Sequence, residues 1–442
     1  MTKLKISTCL LSLLLLLGSC DSFLDIQPIG KVIPTTAPEF RALLTEAYVT
    51  VPSDRGLASF RSDEMQMDAT LAATDLNSYS DIWLWNDYAA SENTASFKWR
   101  QFYHVLFIAN YVIESEHMIT DGTTAEIRQM VGESYMLRAM MHFILVNLHG
   151  PAYTKCDPAT AKAVPLKLDS DTEKILSRNT VAEVYASILS DLTKAGEYLN
   201  QESWELGYNY RFNKLSVDAL RSRVCLYMGD WKGALTAARA VLAAKNELAD
   251  LSTVLPNEYT SPENIVALEE VMTASYARGM KVNRDFYSLY SSSDLRRNAY
   301  YKRVTVSNIQ LIKGGSNQYS CSLRVGEMYL NAAEAALELG EPKTAREYLL
   351  DLQAKRFNER GYTAKEEEVN AMTVDQLREE IYNERARELA FEGHRWFDLR
   401  RTTQPRLERT FRGETYVLEQ GDERYTIRIP SEAIEANPGL AN

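Results

Sequence analysis

A chain of 442 residues with 45% hydrophobic and 25% charged side chains is long enough to bury a large core without covalent staples. Its formal charge of −11 argues against nucleic acid or anionic headgroups as partners. Its five cysteines are too few and too widely spaced for a disulfide framework.

The first segment has the layout of an export signal. Lys3 and Lys5 precede an apolar stretch from Ile6 to Leu17, followed by Gly18 and Ser19. The stretch is shorter than the roughly 20 apolar residues a membrane-crossing helix needs. LLLLLGSC, ending at Cys20, resembles the lipobox of bacterial lipoproteins, in which the thiol is acylated and becomes the mature N-terminus. Residues 1–19 are therefore expected to be a lipoprotein signal peptide, Cys20 the lipidation site, and residues 20–38, with three prolines, a lipidated N-terminus and extended spacer. The lipid is the only membrane attachment expected.

Beyond the spacer, residues 39–442 read as one mostly α-helical domain. Phe97 to Met118 carries Trp99, Tyr103, Leu106, Phe107, Asn110 and Ile113 at helical spacing, and Glu126 to Leu148 and Val181 to Leu199 behave alike. Two segments superpose: Ser222, Gly229 and Ala234 stand at the same offsets as Ala333, Gly340 and Ala345. A small residue on each helix and a glycine between them let two antiparallel helices approach closely, as in tetratricopeptide hairpins, so such units are expected at about 126–250 and 321–356. The missing regular period makes the scaffold irregular. Loop-rich insertions are expected at 276–320, and a small C-terminal β-hairpin around Gly421-Asp422.

From Thr373 the chain reads as a helix with a capping box to Gln376 and a stop at Gly393, which stacks Glu384, Glu388 and Glu392 on one face. Carboxylates so placed repel unless cations meet them, and Arg324, Arg395, Arg400 and Arg401 are candidate donors for an ion-pair lattice.

This helix carries the most specific resemblance. NERARELAFEGHRWFDLRR, residues 383–401, resembles the C-terminal signature of the SusD/RagB family of nutrient-binding outer-membrane lipoproteins. CDSFLDIQP, WRQFYHVLFIANYVIE, LRAMMHFILVNLHGPAY, RVGEMYLNAAEAALELG and the final RIPSEAIEANPGLAN agree with the family in order along the chain. The resemblance implies a tetratricopeptide-like scaffold held by lipid at the outer membrane, facing the cell surface. It further implies a SusC-type TonB-dependent transporter as partner, an oligosaccharide or peptide as ligand, and no enzymatic activity. An envelope adaptor that only assembles protein complexes is the alternative, and Asp21 after the lipid cysteine, an inner-membrane retention signal in some bacteria, favours it.

The search for chemistry returns little. The histidines 104, 117, 142, 149 and 394 give no metal spacing, and no phosphate-binding glycine loop or nucleophile elbow occurs, so neither metal nor cofactor is expected. Asp63, Glu64 and Asp68 read as a solvated or helix-start cluster. Aromatics are the best ligand candidates. Tyr79, Trp83, Trp85 and Tyr88 fall within ten residues with Asn86 between them, and an extended backbone would put Trp83 and Trp85 on one face. Rings beside amides suit a sugar, whose C–H faces stack while its hydroxyls need partners; the same rings also suit a core. Tyr287 and Tyr290, and the group Trp204, Tyr208 and Tyr210, are further candidates.

Overall fold

The computed structural model describes residues 33–88, 90–305 and 308–441, of which those from Thr36 onward belong to one compact unit. The signal-peptide reading and Cys20 lie outside the described residues. Helix α1, Ala37–Val49, begins earlier than a spacer reaching residue 38 allows. Pro38 is tolerated in a first helical turn, and the Thr36 amide donates to Glu39 Oε2 at 3.0 Å to close a capping box.

The scaffold is a succession of helix pairs. After α2 (Asp54–Ser59) and α3 (Ala73–Trp83), the long helices α4 (Trp99–Glu114) and α5 (Thr124–His149) pack together, and α6 (Val181–Tyr198) packs on α5. Capping boxes at Thr123 with Glu126 and at Thr180 with Glu183 set the starts of α5 and α6. Two hairpins follow, α7 (Lys214–Met228) with α8 (Trp231–Ala244), and α9 (Val325–Glu338) with α10 (Pro342–Gln353). Gly229 and Gly340 sit at φ of +74° and +80°, a left-handed turn that residues with a Cβ adopt only at a cost. Ser222, Ala234, Ala333 and Ala345 are all fully buried where their helices meet.

Helix α9 also packs on α8, so the solenoid runs on across the intervening insertion. One polar thread ties the layers. Ser222 Oγ donates to the Ala234 carbonyl at 3.0 Å, Asn331 Nδ2 donates to Ser222 Oγ at 3.1 Å, and Arg385 Nη1 donates to Asn331 Oδ1 at 2.7 Å. Among the described residues, strands occur as four two-stranded antiparallel sheets.

The C-terminal part closes over this scaffold through α11 (Glu359–Ala371), α12 (Val374–Glu388) and α13 (Arg395–Arg401). The capping box at Thr373 is present, but α12 stops four residues short of Glu392, where Phe391 and Gly393 take φ of +58° and +71°. Glu384, Glu388 and Glu392 are buried in an ion-pair lattice. Arg296 bridges Glu384 and Glu388, Arg356 bridges Glu388 and Glu263, Arg324 reaches Glu263, Glu388 and Glu392, and Lys313 reaches Glu392. Of the expected donors only Arg324 belongs here. Arg395 pairs with Asp63, Arg401 with Glu334 and Asp398, and Arg400 donates to the Tyr425 and Gly150 carbonyls.

The C-terminal hairpin lies one turn earlier than expected. It joins β1 (Leu407–Phe411) to β2 (Glu414–Leu418) through Arg412-Gly413, with Phe411 opposite Glu414. Both turn residues have positive φ, +52° and +85°, as the favoured two-residue hairpin turn demands, whereas Gly421-Asp422 turns the chain after the hairpin.

Candidate functional site

The aromatic stretch that drew attention in the sequence is helical to Trp83 rather than extended, and Trp85 then takes φ of +58°. Both tryptophans turn inward, with relative exposures of 3% and 1%. Trp83 Nε1 donates to the Met65 carbonyl at 3.1 Å and Trp85 Nε1 to the Arg61 carbonyl at 3.0 Å, while the Arg409 guanidinium lies 4.9 and 4.1 Å from the two rings. Neither ring retains a face or an N–H for a ligand.

Tyr79 is also buried, stacked on Phe60 at 4.6 Å. Tyr290 is sealed by its hydroxyl, which donates to the Arg387 carbonyl at 2.8 Å and lies 3.0 Å from the Tyr301 hydroxyl; Tyr287 is buried against both rings. The physical reason is shared: a large ring gains more from full burial than from display once its polar atom has a partner. Of the seven candidates, half-buried Asn86 and Tyr88, 69% exposed, reach the surface.

Asp81 builds the loop that presents them. Its Oδ1 accepts Asn86 Nδ2 at 2.9 Å, and its Oδ2 accepts the Ser91 amide at 2.8 Å and Thr94 Oγ1 at 2.7 Å. Burial pushes the Asp81 carboxyl up, but these donors outweigh it and hold the group below the ordinary range. Asp87 forks onto Arg61 at 2.6 and 3.0 Å, fixing the loop to the body.

The facing wall is the C-terminal segment after the hairpin. The Ile427 amide donates to the Leu148 carbonyl at 3.0 Å, and His149 Nδ1 lies 3.1 Å from the Ile427 and Arg428 carbonyls. Because both partners are acceptors, Nδ1 carries the proton. Burial drives the imidazole pKa down to about 4, despite these hydrogen bonds, so His149 is a neutral strut.

Between loop and segment lies a cleft of about 270 Å³, lined by Asn86, Thr94, Phe97, Ile429 and Glu432 among others. A second hollow of about 540 Å³ shares Asp87, Ile427, Arg428 and Ile429 with it and is further lined by Tyr88, Arg178 and Leu440. These are the dimensions of a small-ligand or oligosaccharide groove. Arg428 stands 5.2 Å from the Tyr88 ring centroid, a cation beside an exposed ring in a lining that mixes apolar and hydrogen-bonding groups.

The remaining candidates have other places. Glu64, expected in a solvated cluster, is fully buried; burial raises its carboxyl to about 8 although its Oε1 accepts the Phe391 amide at 2.7 Å. Asp63 pairs with Arg395 and Asp68 with Lys281. His142 is buried, with a pKa lowered to about 3 chiefly by desolvation. Among the described residues no group of three or more His, Cys, Asp or Glu is placed to hold a metal ion, and no helix is long and apolar enough to cross a membrane. Sequence reasoning missed Asp81 as the loop's organiser and Arg428 and Ile429 as the opposing wall. The IRIPSEA stretch, residues 427–433, carried the local signal, an arginine between two isoleucines.

Comparison with known proteins places the whole architecture. Residues 22–226 match the family described as "Starch-binding associating with outer membrane", and residues 258–441 match the SusD family. SusD-like protein P38 of Formosa agariphila is 23% identical, with 87% of this chain and 88% of that protein aligned. The crystal structure of a SusD superfamily protein from Bacteroides thetaiotaomicron superposes with a TM-score of 0.74 at 23% identity, covering 92% of this chain and 99% of that one. A laminarin-binding SusD-like protein superposes with a TM-score of 0.62 at 18% identity, covering 83% and 92%. On the two family matches, which together span nearly all of it, the chain belongs to the SusD/RagB family.

Proposed function

We propose that this protein captures an oligosaccharide at the cleft between residues 86–97 and the C-terminal segment, and hands it to a SusC-type TonB-dependent transporter while held at the outer membrane by lipid on Cys20. The observation that carries the reading is the contact of Tyr88, an exposed ring at the second hollow, with Arg428, which lines both hollows, beside a loop pre-organised by Asp81. A sugar is amphipathic in the same sense as this lining. Its C–H face stacks on an aromatic plane and its hydroxyls meet amide, hydroxyl and guanidinium groups. The reading is supported by the starch-binding description of the family matched by the N-terminal half and by laminarin binding in a protein of the same fold.

Asp87 is engaged by Arg61 and His149 by two carbonyls, which supports reading these two residues as parts of the wall. Native gel electrophoresis through a panel of immobilised polysaccharides tests the reading. At least one glycan should retard the protein, and Tyr88→Ala should run unretarded in it. Equal retardation of the variant would place the ligand elsewhere, and migration unaffected by every glycan would remove the reading.

A further inference from the structure

A second aromatic cluster, distinct in every residue from the cleft, surrounds a single arginine. In the loop between α6 and α7, the Arg211 guanidinium lies 5.2 Å from the Trp204 ring centroid, 4.5 Å from Tyr208 and 5.4 Å from Tyr210. The loop is rigidly built. The Tyr208 amide donates to the Glu205 carbonyl at 3.0 Å, the Arg211 amide to the Tyr208 carbonyl at 2.9 Å, and Trp204 Nε1 to the Phe212 carbonyl at 3.0 Å. Tyr210 rests edge-on against buried Tyr48 at 5.2 Å, and Asn209 Nδ2 donates to the Tyr259 carbonyl at 2.7 Å.

Two features go beyond what closing a loop requires. The first is exposed apolar surface in one place: Leu206 is 65% exposed, Tyr208 44%, and the adjoining Tyr259 39%. The second is the state of Arg211. Arg41, Arg138, Arg223 and Arg401 each face a carboxylate, and Arg346, Arg400 and Arg409 spend terminal nitrogens on main-chain carbonyls. The single hydrogen bond of the Arg211 side chain among the described residues runs from Nε to the Tyr210 hydroxyl at 3.3 Å, and no carboxylate lies within ion-pair reach. Glu202, the nearby acid in sequence, is engaged by Lys214. A guanidinium aimed by three rings, with its terminal donors unspent, is a prepared anion acceptor.

We propose that residues 204–211 form a second saccharide platform, which takes a sugar carrying a carboxylate or sulfate group. The anion forks onto the terminal nitrogens of Arg211, and the C–H face of the sugar rests on the exposed ring of Tyr208 beside Leu206. A protein partner is the less favoured occupant, because the exposed rings span one loop and Tyr259 while a stable interface needs about 800 Å² on each side. The inference rests on the reading of this chain as carbohydrate-binding, and extends it to a ligand chemistry.

Titration calorimetry of the full chain with three probes tests it: an oligogalacturonate, a sulfated oligosaccharide and a neutral gluco-oligosaccharide. Arg211→Ala should weaken binding of at least one anionic probe by about tenfold or more, the size of a lost charge-assisted pair, and leave the neutral probe unchanged. The response should shrink with added salt. Tyr208→Ala should weaken the same probe with the melting temperature unaltered, which covers the case in which the arginine variant fails to fold. Tyr88→Ala should leave this anionic component in place. Whichever anionic probe responds identifies carboxylate or sulfate. Binding of the neutral probe alone, or anionic binding lost in Tyr88→Ala and intact in both platform variants, overturns the platform and spares the cleft. Binding of no probe overturns the platform, and the cleft then stands or falls by the polysaccharide panel. Platform variants that bind every saccharide normally but release a co-purifying protein overturn it in favour of a docking surface.

Discussion

Arg324 holds Glu388 twice, with Nη1 donating to the carboxylate Oε1 and Nη2 to the main-chain carbonyl, both at 2.8 Å. The arginine immediately precedes the second tetratricopeptide-like hairpin and the glutamate ends α12, so one side chain fixes the C-terminal cover to the solenoid. Arg296 and Arg356 complete the enclosure of the same carboxylate. Removing it takes from each of three buried cations one of its carboxylate partners. Glu388→Ala should cost about 3–5 kcal/mol, read as a lowered urea midpoint. A midpoint within experimental error of the parent would mean that the lattice does not hold the cover in place.

The same buried acids give stability a two-sided pH dependence. Charge pairing with arginines overcomes burial and lowers Glu384 to about 2, against an ordinary value of 4.5; Glu388 and Glu392 are depressed as well. Their contribution is full above about 4.5 and is lost as pH falls toward 2. Glu64 has the opposite sign. Burial raises it to about 8, so its contribution is full below the unfolded value of 4.5 and declines as pH rises through 8. Glu64→Gln, which keeps the acceptor for the Phe391 amide, should flatten the decline between pH 5 and 8 by an amount on the order of a few kcal/mol. Asp54, raised to about 7 by burial, leaves a residual slope of the same sign. An unchanged slope in thermal melts across that range would mean that Glu64 is not held protonated.

Trp83 and Trp85 belong to the core, and their substitution should behave accordingly. Trp85→Ala should cost about 3–5 kcal/mol, as large-to-small changes in a packed interior do. Tyr88→Ala, three residues on and exposed, should alter stability by no more than about 0.5 kcal/mol. Chemical denaturation of the two variants side by side checks this. Equal stability would place the tryptophans on the surface.

These contrasts mark how far the sequence is legible. Helix positions, the two hairpins with their glycine turns and the ion-pair lattice follow from spacing and capping, because α-helices are local objects whose faces can be counted. The aromatic site does not. The period of a strand brings Trp83 and Trp85 to one face, but helix α3 continues to Trp83 and the positive φ at Trp85 turns both rings inward toward Arg409, more than three hundred residues away. The cleft has the same character. Its loop is written around Asp81 and its opposite wall around Arg428, and only the folded chain brings them together. In the lattice, Arg296 and Arg356 escaped notice because they sit in an irregular insertion and at the end of a hairpin, where no period points to a partner.

Lipid attachment is tested apart from folding. Cys20→Ala should give a protein that incorporates no labelled fatty acid and leaves the membrane fraction, with an unchanged melt, since the compact unit begins at Thr36. Retained label or retained membrane association would contradict attachment through that thiol.

The most direct test of capture at Tyr88 is a crystal structure of the full chain with the oligosaccharide that binds it most tightly. Sugar density is expected against the Tyr88 ring and Arg428, between residues 86–97 and 427–432. A tightly bound sugar found elsewhere, with that cleft empty, would contradict it.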